Sequence, residues 1–477
     1  MEIADLQKKI VRGFFGLILR KILIDGISFV TLFIVLARVL PISVIGIYGI
    51  AQSILGFFNY FSDVGLAASL IQKKEISRDD LKTTFFIQES LVLLLTAIIF
   101  FGAPTFATFY HLDTAGMWLI RALGIRFFLT SLKSIPSTLL ERKLNFEPGI
   151  LVEVLEVLTF NGLLVYLTLQ NFGVWSYSWA AMAAGVVGAV AINIIAPWPV
   201  GFGYSKSSAK ELFNFGIPFQ LNSLMALLKD RLTPLITARI IGQTGVGYLT
   251  WAQGIAYRPL EVMNIVIRIT FPAFSRLQNQ QDELKKMIEK SLFVTNLLVM
   301  PLIVGIVTIL PSFISFMGKD KFEPAIPLIY LFAFSAFWAA PSTIFTNVLN
   351  AVGKVGITFK LMIMWTALTW ILSPILALQY GYFGVALASA IISLSSIVPI
   401  MIVTRMIKVD IWASLLQPLS ASLVMGLGIY LLSNMLDKNL LNLLIIILAG
   451  GLIYLAVILL MAKEKIILAI KDFKNVN

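Results

Sequence analysis

The chain has 477 residues, of which 58% are hydrophobic and 13% charged, and its formal net charge at pH 7 is +12. Soluble proteins are roughly 45–50% apolar and about 25% charged, so this composition excludes a soluble globular domain and describes a polypeptide that lies within a bilayer. There is no cysteine, which excludes disulfides and thiolate metal sites and leaves the redox compartment unread.

Apolar runs of about 20 residues, the length that crosses a hydrocarbon core, recur through nearly the whole chain. Divided at their polar breaks they predict about fourteen helices. In order these occupy 13–40, 43–71, 82–104, 115–139, 148–169, 173–198, 209–239, 244–274, 288–312, 324–350, 355–379, 382–405, 411–434 and 439–462, followed by a basic tail helix over 462–474. The fold class is all-α, a polytopic membrane protein. No cleavable signal is expected, because Lys8, Lys9 and Arg12 lead into a long first span without a small-residue cleavage site. The longest connections, near 71–82, 274–292 and 311–323, are too short for a large extramembrane catalytic domain.

Lysine and arginine concentrate in alternate connections: the N-terminus, 73–82, Arg142 with Lys143, 206–210, 276–290, 354–360, 405–408 and the tail. The opposite connections carry Arg38, Arg239, Lys319, Lys321 and Lys438. This bias sets both termini in the cytoplasm. It also accounts for the basic charge without nucleic acid as a partner.

The chain is duplicated. Ala37, Arg38, Gly46, Ala51, Gln52 and Ile54 fall without a gap on Ala238, Arg239, Gly247, Ala252, Gln253 and Ile255. Further echoes follow in the same order: 79–82 with 282–285, Pro136-Ser137-Thr138 with Pro341-Ser342-Thr343, and Phe172-Gly173-Val174 with Phe383-Gly384-Val385. Each copy holds an even number of helices, so both enter the membrane from the same side and their pseudo-two-fold axis lies along the membrane normal. Parallel repeats of this kind are a recurrent transporter design, with the substrate path between them. The expected domains are an N-terminal lobe over 1–204 with helices one to six and a C-terminal lobe over 205–408 with helices seven to twelve. The last two helices and the tail, 409–477, lie outside the duplication.

Helix breakers inside spans include Pro218, Pro234, Pro259, Pro301, Pro374 and Pro399. Pro218 and Pro259 are the hinge candidates, because their helices meet at the second copy of the repeated motif. Basic residues also fall within spans. Arg20, Lys21, Arg121, Lys133 and Arg268 lie near span ends, from which long chains snorkel to the headgroups. Arg126, Lys229, Arg231 and Arg258 lie deeper, and at ~2.5–3.5 kcal/mol each four lipid-facing cations would cost on the order of 12 kcal/mol. They are expected to face water or acids. The intramembrane acids are Asp25, Asp63, Glu89, Glu153, Glu156, Asp230 and Glu261. Arg258 and Glu261, three apart, can pair on one helical face. The alternative is a cationic cavity that accepts an anionic headgroup, whose oxygens suit the planar fork of arginine.

Other chemistry is thin. His111 sits in an expected outer loop without metal-ligand companions, and Asp79-Asp80 is expected to be a solvated charge cluster. No nucleophile, general base, metal site or cofactor-binding loop stands out.

Several motifs resemble the polysaccharide flippase branch of the multidrug/oligosaccharidyl-lipid/polysaccharide exporter superfamily. They are Gly46-Ile47-Tyr48 with Ala51, Ser62-Asp63-Val64-Gly65-Leu66 running on to Ile71-Gln72, and Pro136-Ser137 followed by 141–146. In the second half they are Asp230, Gly247-Tyr248 with Ala252, the run from Phe271 to Gln278, and Asn350-Ala351-Val352-Gly353-Lys354. The resemblance implies a flippase for lipid-linked oligosaccharides such as O-antigen or lipopolysaccharide precursors, without a cofactor. It implies a monomer in the cytoplasmic membrane, surrounded by membrane lipids, with a polysaccharide polymerase and glycosyltransferases as candidate partners. Helices one, two, seven and eight would line its cavity. In this sequence they place Arg20, Lys21, Lys229, Arg231 and Arg258 as substrate-binding cations and Asp25, Asp63, Asp230 and Glu261 as cavity or ion-coupling acids. A drug or metabolite exporter of the same superfamily is the alternative, and a membrane-embedded polymerase or transferase a more distant one.

Overall fold

A computed structural model of the chain describes residues 24–31, 39–73, 75–142, 145, 147–221, 227 and 232–475. Among the described residues there is no strand, and ten helices are long and apolar enough to cross a membrane. Contacts divide the chain into two compact units, Met1–Gly247 and Tyr248–Asn477.

The first unit contains α1 (Ile42–Tyr60), α2 (Leu66–Gln72), α3 (Arg78–Phe109), α4 (Thr114–Ser131), α5 (Ser134–Arg142), α6 (Glu147–Leu169), α7 (Val174–Ile195), α8 (Lys206–Leu221) and the first part of α9 (Thr233–Ala256). Its core joins Ile47, Ile50 and Ile54 of α1 to Val92 and Ile99 of α3, Leu119 and Leu123 of α4, and Tyr177 and Ala181 of α7. The span expected over 43–71 is split. The backbone turns through positive φ at Val64 (46°) and Gly65 (75°), and Gly65 admits this left-handed conformation without a Cβ penalty. The span expected over 115–139 is likewise divided between α4 and α5, by a turn at Leu132 and Lys133.

The second unit holds the rest of α9, a 3-10 turn (Arg258–Leu260), α10 (Glu261–Arg276), α11 (Gln281–Phe322), α12 (Ile326–Ala351), α13 (Val355–Leu394), α14 (Ile397–Met406), α15 (Ile411–Met435) and α16 (Leu440–Asn475). Phe274, Leu292, Ile344, Phe345 and Val348 form its centre. The last two helices pack on α11 through Phe293, Met425, Ile429 and Ile458, and the Tyr454 hydroxyl donates to the Leu297 carbonyl at 2.7 Å. Non-helical backbone interrupts α9 at Gly242 (φ 69°), α13 at Gly381 (φ 59°) and α16 at Ala462. Each interruption falls at a boundary expected between spans. The spans expected over 13–40 and 209–239 lie partly outside the described residues.

One expectation is corrected here. Asp79 is exposed, but Asp80 is buried rather than solvated. Ser77 Oγ accepts from the Asp80 amide at 3.1 Å and Asp80 Oδ2 accepts from the Ser77 amide at 2.9 Å, a capping box that satisfies donors at the start of α3. Lys73 Nζ sits 2.8 Å from Asp80 Oδ2 and 2.8 Å from Glu211 Oε2, and the hydrogen bonds to Asp80 first and Glu211 second raise the lysine's pKa. Arg142 adds hydrogen bonds to the carbonyls of Leu70, Ile71 and Lys73, closing the C-terminal end of α2.

Candidate functional site

Of the expected cavity cations, Arg20, Lys21, Lys229 and Arg231 lie outside the described residues, as does the acid Asp230. Arg258 is described. It is half-buried, it opens the 3-10 turn between α9 and α10, and its Nε donates to the Gly254 carbonyl at 3.2 Å. Pro259, the next residue, is buried in the same turn, and the half-buried Glu261 begins α10. A proline without an N–H breaks the α-helical ladder at that place, so the hinge candidate coincides with an observed discontinuity beside the cation. Pro218 lies in the course of α8, where the side chains of 215–219 are outside the description.

The other acids are placed apart from that turn in sequence. Asp25 is half-buried in a helical stretch over 24–31. Asp63 lies at the break between α1 and α2, where its Oδ1 accepts from the Ala67 amide at 2.9 Å. That contact gives Asp63 a capping use in addition to the expected cavity or coupling use.

Three basic residues within spans have partners the sequence did not indicate. Lys133 does not merely snorkel: its Nζ lies 2.5 Å from Glu156 Oε1, and a Cβ on Gly188 would overlap that carboxylate, so the glycine makes room for it. Arg121 sits between the rings of Phe100 and Trp118, 4.9 and 4.7 Å from their centroids, and donates to the Phe100 carbonyl at 3.2 Å. Arg126, expected to face water or acids, is half-buried and lies over the Phe160 ring at 5.2 Å. Ring faces attract cations, which removes much of the reason for either arginine to seek water. Nearby, Ser131 Oγ donates to the buried Glu89 Oε2 at 2.7 Å. Apart from Arg121 with Trp118, three residues apart on α4, these pairings join different elements, so no spacing within one helix announces them.

The sequence reading assigns no site role to Gln52 or Asn59 of α1. Gln52 and Asn59 are exposed on this apolar helix. Gln52 Nε2 donates to the Tyr48 hydroxyl at 2.5 Å, and the Tyr48 ring stacks on Tyr177 with centroids 4.2 Å apart. Their signal was available in the text: two amides seven residues apart in a run without a charge.

Residues 35–327 match the model of a family described as polysaccharide biosynthesis protein. The chain belongs to that family. Among curated relatives of this family member, the lipopolysaccharide biosynthesis protein WzxC of Escherichia coli (strain K12) is 23% identical over 371 residues, covering 76% of this chain and 74% of WzxC. The succinoglycan biosynthesis transport protein ExoT of Rhizobium meliloti (strain 1021) is 24% identical over 372 residues, covering 77% of this chain and 73% of ExoT. Among solved structures, the lipid II flippase MurJ in an inward closed conformation superposes with a TM-score of 0.76 at 15% identity, covering 96% of this chain and 100% of MurJ. At that identity the likeness speaks for the fold, a polytopic helical fold shared along the full length.

Proposed function

We propose that this family member is a transporter, not an enzyme, and turns a polyprenyl-(pyro)phosphate-linked oligosaccharide from the cytoplasmic to the outer leaflet for surface polysaccharide biosynthesis. The observation that carries this reading is the family match over 35–327 together with relatives named for lipopolysaccharide biosynthesis and succinoglycan transport. Physical chemistry supports it. A sugar-pyrophosphate headgroup does not cross hydrocarbon unaided, whereas its lipid tail never needs to leave it. A polar cleft open sideways to lipid suffices.

In this reading the protein is a monomer in the cytoplasmic membrane with both termini inside, and a polymerase and glycosyltransferases work beside it. The lobes 1–204 and 205–408 rock about the headgroup in alternating access, with Arg258, Arg20, Lys21, Lys229 and Arg231 available to its phosphates. Depletion of the protein in its own cell tests the reading. Surface polysaccharide should fall while the lipid-linked oligosaccharide accumulates on the cytoplasmic leaflet. Intact surface polysaccharide with new sensitivity to cationic drugs would favour an exporter, and unpolymerised units on the outer leaflet would favour a polymerase.

A further inference from the structure

Helices that face lipid expose hydrocarbon. On α3 the exposed side chains include Leu93, Leu94, Ile98 and Phe101, and on α15 Leu416, Leu423, Val424 and Leu427. Helix α1 behaves differently. Between Ile42 and Tyr60 the exposed residues are Gln52 and Asn59 and no others. Seven positions apart, they occupy one face, separated by about 10 Å along the axis. Gly56, four residues after Gln52, lies on the same face and adds no hydrocarbon to it. Amides turned toward lipid would leave their donors and acceptors without partners, so this face borders water.

The chemistry of the face narrows what it meets. No charged residue lies between Ile42 and Tyr60. A phosphate, which only accepts, selects guanidinium or ammonium groups, and this face has none. A primary amide both donates and accepts, matching hydroxyl and acetamido groups, which do the same. Gln52 is also oriented: its nitrogen is engaged by Tyr48, which Tyr177 holds by stacking, and its oxygen remains an acceptor. The duplication sets Gln253 at the equivalent place in the second copy, where it is half-buried on α9.

We propose that Gln52 and Asn59 are specificity residues that hydrogen-bond the sugar rings of the transported lipid, at a subsite separate from the cations that hold its phosphates. This rests on the proposed function and adds to it a division of the headgroup between two chemistries. The two amides, two helical turns apart, engage different rings of one oligosaccharide.

Two lipids test this on the full chain in nanodiscs: the lipid-linked oligosaccharide fraction extracted from membranes of the cells that make the protein, and sugar-free polyprenyl pyrophosphate. The native protein should bind the sugar-bearing fraction more tightly. Gln52→Met and Asn59→Leu should each weaken that binding on the order of tenfold, the worth of about one hydrogen bond, and leave the sugar-free lipid within about twofold, which also reports a folded protein. Equal losses for both lipids, or no loss for either, overturn the proposal. A native protein that binds neither lipid overturns the transport reading itself. The water-facing claim has its own check, because the chain has no cysteine background. Gln52→Cys and Asn59→Cys should react with a water-soluble thiol reagent while Leu93→Cys and Leu427→Cys do not, and inert cysteines at both amide positions would remove the cavity from α1.

Discussion

Lys133 and Glu156 are each tolerable in the bilayer only because the other is there. Breaking a buried ion pair from one side leaves a bare charge and costs about 3–5 kcal/mol, whereas replacing both partners is often close to neutral. Lys133→Met should therefore lower the thermal unfolding temperature of the purified protein sharply, and adding Glu156→Gln should restore most of it. A double variant as unstable as the single one would mean the pair contributes through packing alone. Arg258 gives the functional counterpart. Arg258→Gln should abolish polysaccharide export with normal abundance in the membrane, and Arg258→Lys should recover only part, having lost the bidentate fork. Full export by the glutamine variant would remove Arg258 from the headgroup site. The sequence singles out Arg126 and Arg258 as charges that need an explanation and reads Lys133 and Arg121 as chains that snorkel from span ends. It did not supply the explanation for Arg121 and Arg126, because the rings of Phe100 and Phe160 lie on other helices, and Trp118, three residues before Arg121, carries no charge to attract notice.

Whole helices were more legible than their interruptions. Polar breaks and glycines marked the ends near Gly242 and Gly381, since a positive φ there requires a residue without a Cβ. The breaks at Phe61–Gly65 and at Leu132–Lys133 hold Ser62, Asp63 and Lys133, but isolated polar residues within long apolar stretches read as charges inside a span and not as the end of one. The duplication carried one detail through to packing: Gly46 and Gly247, equivalent in the two copies, lie at one close crossing. A Cβ on Gly46 would overlap the Gln243 carbonyl oxygen, and one on Gly247 would overlap that of Ile42. Both side-chain-free positions are needed for α1 and α9 to approach so closely. Ser43→Cys and Thr244→Cys flank this crossing, so a short bifunctional thiol reagent should join them efficiently. The yield should fall several-fold when Gly46→Ala wedges the helices apart. If these ends are the outer mouth, the joined protein should also stop exporting while each single cysteine variant stays active under the same reagent. Export that continues through demonstrated cross-linking would contradict alternating access by rocking.

At the scale of the molecule, composition alone disclosed a membrane protein, and the long apolar runs disclosed an all-helical one. Duplication and contacts draw different lines through it. The repeat is expected to restart near 205, whereas residues up to Gly247 pack with the first unit. They do so through Ser69 Oγ donating to the Leu212 carbonyl at 2.7 Å, Tyr60 Oη donating to the Gln220 carbonyl at 2.5 Å, and Tyr110 Oη donating to the Leu235 carbonyl at 3.2 Å. Such hydrogen bonds to backbone carbonyls leave no pattern in the sequence. Topology is a separate matter of charge. Reporter fusions after Leu112 and Leu436 should read outside and those after Ser77 and Ile407 inside, as the lysine and arginine bias requires, and the reverse pattern would invert the orientation proposed for the cavity.

The central claim, that this chain moves a lipid-linked oligosaccharide between leaflets, is tested most directly in proteoliposomes. The purified chain is reconstituted with the lipid-linked oligosaccharide fraction of its own cells, under imposed proton and sodium gradients. A glycan-cleaving enzyme that cannot cross the bilayer then measures the sugar reaching the outer surface. Vesicles containing the protein should yield nearly all of their glycan to the enzyme within minutes, and protein-free vesicles only the share already outside. Protein-containing vesicles that yield no more than the protein-free ones, under either gradient and in either orientation, would contradict the account.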